Sequence, residues 1–255
     1  MSTFEKDGSI DPSAGRIISC FGRKGSGKSV MALAHFRAYP YDRIVIDPSG
    51  DDGPVGEDVH ELKGDVSALP ARWPEMHRVD EQPMTLRYVP DMGSSTALED
   101  MDAVVGLAMH HGRCALLVHE VGLIAPAGRT PPNMRRLLNA NRHRQVTAIF
   151  CGPRPQTIDP LVLAQSDLVY TFDLANPNDR KRIAEEIGWN PREFDAGVHE
   201  LAWHEYLLFD RNEDKPAPGQ VDLRLLHYPP LPREDVDDIL RWARGQRPHQ
   251  LHAVR

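Results

Sequence analysis

Between residues 16 and 172 the chain repeatedly alternates a short, continuous apolar run with a stretch in which apolar residues recur every three or four positions. The runs at 16–21 (RIISCF), 43–47 (RIVID), 85–89 (TLRYV), 114–118, 146–151 and 168–172 are too short for helices and read as strands, those at 16–21 and 43–47 as buried ones. Helical stripes lie between them at 29–39, at 97–111 and in a segment opening at Pro131-Pro132 and running through Leu137 and Leu138. Two more follow at 161–165 and 177–187. In the second stripe Leu98, Met101, Val104, Val105 and Ala108 share one face, and Gly112 stands where a helix commonly ends. Strands alternating with helices imply an α/β domain with a mostly parallel central sheet flanked by helices on both sides.

Residues 1–15 form a polar leader with no apolar signal segment, and 16–212 form the core. Residues 51–82 are acidic, rich in Gly and Pro and without sustained periodicity, and are expected to be a surface excursion. Residues 198–209 are expected to close the sheet as a strand or hairpin. The remainder, 213–255, reads as a Pro-rich linker and a terminal amphipathic helix at 233–244. No apolar stretch approaches the roughly 20 residues a membrane-crossing helix needs.

The glycine-rich turn after the first strand carries the chemistry. Gly22-Arg23-Lys24-Gly25-Ser26-Gly27-Lys28-Ser29, followed by Val30, matches the phosphate-loop pattern, and it ends a strand and opens a helix as the mechanism requires. The glycines let backbone N–H groups turn inward around β- and γ-phosphate oxygens, Lys28 neutralises them, and the Ser29 hydroxyl suits Mg²⁺. ATP and Mg²⁺ are therefore the expected ligands. At the end of strand 114–118, where such ATPases carry an acidic pair, the chain has His119-Glu120. Glu120 is the candidate catalytic base. His119 is a poor partner for an oxygen-loving ion, so either hydrolysis is slow or another carboxylate, with Asp47 the candidate, supplies charge near the metal.

The net charge of −7 excludes a molecule coated in basic surface, so any nucleic acid must be held by a local patch. Arg135, Arg136, Arg142, His143 and Arg144 form the one dense basic segment before the strand at 146–151. Cys20, Cys114 and Cys151 are far apart in sequence, and they read as reduced core thiols of a cytosolic protein. No His/Cys spacing fits a metal site, the neighbouring His110-His111 pair included.

The segments GSGKSV, Asp47-Pro48-Ser49-Gly50, NRHRQVTAIFCGPRP and SDLVYTFDLANPNDRKRIAEEIG, in that order, resemble the FtsK/HerA superfamily of ring ATPases across residues 16–210. That resemblance implies a RecA-like P-loop NTPase fold and a ring, hexameric or pentameric. It makes Arg142 the arginine finger for the neighbouring subunit's γ-phosphate, with Lys28 and Glu120 as the other catalytic residues. Arg154 matches the arginine of the family's polar-Arg-Pro turn, whereas Pro153 stands where members commonly carry a glutamine sensor. Members with one compact core resemble the genome-packaging ATPases of tailless, membrane-containing viruses, which implies double-stranded DNA as partner. It also implies a capsid or portal-vertex protein as a further partner, and host cytoplasm or capsid vertex as the location. Two alternatives stay open: a non-motor assembly factor resembling filamentous-phage export ATPases, and an ATP switch that hydrolyses slowly.

Overall fold

The structure, a computed structural model, describes residues 14–50, 59–67, 69, 83–211 and 226–227. The strands are β1 (Ile17–Phe21), β2 (Arg43–Ile46), β3 (Val59–Lys63), β4 (Thr85–Val89), β5 (Ala115–Val118), β6 (Thr147–Gly152), β7 (Leu168–Thr171), β8 (Leu207–Asp210) and β9 (Leu226–His227). They form one sheet in the order β3-β4-β2-β5-β6-β1-β7-β8-β9. All pairings from β3 across to β7 are parallel, and β8 and β9 add antiparallel at the end. The helices are α1 (Lys28–Ala38), α2 (Ala97–His111), α3 (Pro132–Arg144), α4 (Pro160–Gln165), α5 (Pro177–Ile187) and α6 (Pro191–His199).

Both sheet faces are covered, which is why the central strands show no alternation. On one side Ile18, Cys20, Val45, Leu117 and Ile149 pack with Met31, Ala32, Leu33 and Phe36 of α1. On the other, Ile17, Phe21, Ile46, Leu116, Val118 and Phe150 pack with α2 (Met101, Val104, Val105), α3 (Met134, Leu137) and α5 (Ile183, Ala184). The buried Asp102 carboxylate of α2 accepts hydrogen bonds from the backbone N–H groups of Asn133 (3.1 Å) and Met134 (2.8 Å), so it caps α3 from a neighbouring helix.

Two expectations need correction. The excursion 51–82 contains β3, a parallel edge strand that closes the sheet beside β4. Residues 198–209 contribute the expected strand, β8, which pairs with β7, but it begins only at Leu207: Val198 and His199 end α6, which Asn190 caps by accepting from the Arg192 N–H at 2.9 Å. The hydrophobic side of α6, Phe194 and Val198, joins the core, so tertiary burial outweighs the strand-like composition that follows it. The leader before residue 14 and the helix expected at 233–244 lie outside the described residues.

Candidate nucleotide site

The phosphate loop leaves β1 at the carboxyl edge of the parallel sheet, between β6 and β7. Gly25 (φ +80°) and Gly27 (φ +107°) take left-handed conformations that side chains rarely adopt, the kind of backbone that can aim successive amides at an anion. Gly27 is the N-cap of α1, with no side-chain cap and no acidic residue in the first turn, so the helix presents free N–H groups and an uncompensated positive end. Gly22 is required for another reason. A Cβ there would sit 2.4 Å from Ser26 Oγ and 2.7 Å from Phe172 Cβ. Ser26 Oγ is buried and has no hydrogen-bond partner among the described residues, as expected of a group whose partner is a ligand. Lys28 is 8% exposed, which a charged ammonium tolerates only beside negative charge. A triphosphate therefore fits this cradle. Ser29, partly exposed in the first turn of α1, is the residue here that would hold Mg²⁺ alongside phosphate oxygens.

Glu120 follows β5 with φ 54° and ψ 56°, a left-handed conformation without glycine's freedom. Such strain concentrates at functional sites. Only β6 separates β5 from β1, so Glu120 stands at the same sheet edge as the phosphate loop, with Pro153 on the turn between them. His119 is 4% exposed and lies against the Cys151 thiol, beneath the loop. Cys20 and Cys151 are register partners on β1 and β6, and Cys151 Sγ approaches the Lys28 carbonyl at 4.0 Å. Burial pushes the Cys20 thiol well above the ordinary thiol range, while its hydrogen bond to Cys151, with His119 beside it, draws the Cys151 thiol down. The three cysteines are all buried and free of disulfides.

Asp47 does not supply the missing metal charge. It is fully buried; Oδ1 accepts from Ser49 Oγ (2.8 Å) and the Gly50 N–H (3.0 Å), and Oδ2 is held by Arg87 Nε (3.2 Å) and Nη2 (2.5 Å). The lone pairs are committed to the turn after β2 and to β4, with nothing left for a metal-bound water. Arg154 on the β6 turn pairs with the buried Asp179 of α5 at 2.9 Å, and Asp179 also accepts the Gln156 N–H. That pairing fixes the turn next to Pro153.

Arg142 lies in the last turn of α3, just before β6 begins, at the amino edge of the sheet, and forms an ion pair with the buried Asp167 that precedes β7. Asp167 also accepts the Ile17 N–H at the start of β1 (2.8 Å). The length of β1, about 15 Å, thus separates Arg142 from its own phosphate loop. Of the other basic residues, Arg144 donates to the carbonyls of Met109 and His110 at the end of α2, and Arg135 to Thr130 O; Arg136 and His143 are exposed. His111 pairs with Asp42 at 2.8 Å, and no group of metal-ligating side chains occurs among the described residues.

Sequence reasoning passed over the segment joining α6 to β8. There Trp203 lies against the phosphate loop and is the most exposed large apolar side chain described, at 55%. Arg23 of the loop stacks on it, its guanidinium carbon 5.0 Å from the indole centroid, and pairs with Asp173 at 2.7 Å.

No protein-family model matches the chain, and no curated protein matches it. Among solved structures it is similar to the genome packaging NTPase B204 of Sulfolobus turreted icosahedral virus 2 in complex with AMPPCP. The identity is 21%, the TM-score 0.62, and the match covers 87% of this chain and 100% of that one. It is also similar to B204, the DNA-packaging ATPase of Sulfolobus Turreted Icosahedral Virus, at 18% identity and TM-score 0.58, over 85% and 98% of the two chains. A third similarity is to VirB4 of Thermoanaerobacter pseudethanolicus, at 10% identity and TM-score 0.51, over 84% and 96%. No described helix is long and apolar enough to cross a membrane. The single α/β domain, its parallel sheet and the strand-loop-helix cradle thus give this chain the P-loop NTPase fold that it shares with the viral packaging NTPases and VirB4.

Proposed function

We propose that the chain hydrolyses ATP with Mg²⁺ and, as one subunit of a ring, uses that hydrolysis to move double-stranded DNA, in the manner of the viral genome-packaging NTPases whose fold it shares. The observation that carries this reading is the division of groups between the two edges of one sheet. The cradle, Lys28 and the strained Glu120 share the carboxyl edge, while Arg142 is held at the amino edge by Asp167. An arginine about a strand's length from its own cradle supports a role toward a nucleotide on another subunit, and so hydrolysis between subunits.

In this scheme the loop amides and Lys28 bind the β- and γ-phosphates, Ser29 positions the metal, and Glu120 accepts a proton from the attacking water. Mg²⁺, which Ser29 would hold, would supply positive charge to offset that of the phosphates. The neighbour's Arg142 stabilises charge developing on the transferred phosphoryl, an effect worth about 10³ to 10⁵ in rate for such arginines. Purified protein should show ATP turnover stimulated by duplex DNA and lost in Lys28→Ala and Glu120→Gln. Protein that binds neither ATP nor DNA would overturn the proposal.

A second reading has one specific observation behind it: the position of the first acidic residue holds His119, buried against Cys151. It casts the chain as an ATP-binding switch with slow turnover. Turnover above about 1 s⁻¹, the lower end of typical enzyme rates, removes this reading. Stimulation by a capsid, portal or coat protein in place of DNA would favour the non-motor assembly factor.

A further inference from the structure

We infer that the turn 202–205, through the indole of Trp203, is the platform on which the heterocyclic base of the bound nucleotide stacks. This rests on the nucleotide-binding reading above and assigns the site's recognition of the base.

Topology sets the direction. For Glu120 to reach the attacking water, the γ-phosphate must lie on the β5 side of the phosphate loop, because β5 is separated from β1 only by β6. The nucleoside end of an extended triphosphate then points the other way, over β7 and β8. The chain entering β8 crosses that region and touches the loop. A Cβ built on Gly25 would lie 3.6 Å from Trp203 Cζ2 and 3.7 Å from Cη2, and one on Gly27 would lie 3.8 Å from His204 Cδ2.

The turn is built to hold an aromatic ring in place. Glu205 Oε2 accepts the Ala202 N–H at 2.8 Å and the Glu205 N–H donates to Ala202 O at 3.1 Å, closing the turn around Trp203. His204 is held at φ 72°, a left-handed conformation that costs a non-glycine residue energy, and its ring lies 5.2 Å from the indole at 45°. Arg23, anchored by Asp173, occupies one side of the indole, so the ring is fixed in orientation while 55% of the residue stays open. A pre-oriented, exposed tryptophan at the mouth of a phosphate site is what π-stacking on a planar heterocycle requires. Every base offers a π-face, so a platform of this kind favours the larger purine rings and separates adenine from guanine weakly.

The test compares two ligands that differ only in whether they carry a nucleoside: ATP and inorganic tripolyphosphate, titrated by calorimetry with Mg²⁺ into the full chain. Trp203→Ala should weaken ATP binding by about 5- to 150-fold, the range seen when a stacking aromatic is truncated. It should leave tripolyphosphate affinity within about twofold, the tolerance for sites that do not interact. Trp203→Phe should restore most of the ATP affinity, and wild-type protein should bind GTP nearly as tightly as ATP. Unchanged ATP affinity in Trp203→Ala, or an equal loss for both ligands, would overturn the inference while leaving the phosphate site intact. Wild-type protein that binds neither ligand removes the nucleotide-binding reading and this inference with it.

Discussion

Replacing Gly22 by alanine tests the cradle at the point where its geometry is tightest. The added methyl meets two groups at once, Ser26 Oγ at 2.4 Å and Phe172 Cβ at 2.7 Å. Phe172 Cβ is bonded to backbone that is itself pinned, since the Phe172 N–H donates to Phe21 O at 2.8 Å and the side chain is 2% exposed. The loop must therefore yield, carrying Ser26 and the adjacent amides out of position. Overpacking of this kind costs about 1–3 kcal/mol. For a chain of this size that corresponds to a fall in melting temperature of about 3–10 °C. The effect on ligand is larger than on stability, because displaced amides no longer converge on the phosphates; ATP affinity should drop at least tenfold, equivalent to about 1.4 kcal/mol. Gly188→Ala is the control: its methyl meets nothing within 4 Å, and its cost comes from the left-handed backbone there (φ +75°), far from the cradle, so it should lose stability alone. Thermal melts with and without ATP read both quantities. Gly22→Ala protein with wild-type ATP affinity would refute the assignment of Gly22 to the Ser26 and Phe172 contact.

His35 on α1 has its pKa lowered to about 4 by burial, with Nε2 against the Tyr170 hydroxyl at 3.0 Å. Its folded pKa lies below the ordinary value, so the neutral form supports the fold: the contribution is complete above about pH 6.5 and is lost as pH falls toward 4, by up to roughly 3 kcal/mol. Urea midpoints at pH 7 and 4.5 should differ accordingly, and less so in His35→Gln. Asp102→Ala leaves two buried N–H groups at the start of α3 without their acceptor, so urea denaturation should show a loss of about 1–3 kcal/mol with ATP binding unchanged. Arg142→Lys can keep an ion pair with Asp167, so its melting temperature should stay near wild type while DNA-stimulated turnover falls by about two orders of magnitude or more.

How far the residues alone reveal the fold depends on where each element sits. The central strands are readable because burial on both faces leaves continuous apolar runs bounded by glycine and proline, and α2 because one face alone meets the sheet. The edge strand β3 (VHELK) pairs on one side only and keeps His60, Glu61 and Lys63 toward solvent, so it carries no such run. Helix α6 carries a local signal, Asn190 as N-cap before Pro191 with Phe194 and Val198 four apart, but the apolar run that follows it obscures where the helix ends. The phosphate loop was fully legible because its mechanism is local. Asp47 was misassigned because its partner, Arg87, lies 40 residues away on β4. Trp203 had no sequence signal, since its meaning comes from Gly25 and Arg23, which only the fold brings beside it.

The central claim, that one nucleotide site is shared between subunits, is tested most directly by mixing two inactive variants. Lys28→Ala lacks a working cradle but keeps Arg142; Arg142→Lys keeps the cradle but lacks the finger. Each alone should show at most about a hundredth of wild-type DNA-stimulated ATP turnover. Mixed in equal amounts with duplex DNA, they should recover roughly a quarter of wild-type turnover, the share of head-to-tail interfaces that pair an intact cradle with an intact arginine. Turnover that stays at the level of the separate variants, with both proteins folded and assembled, would contradict the account.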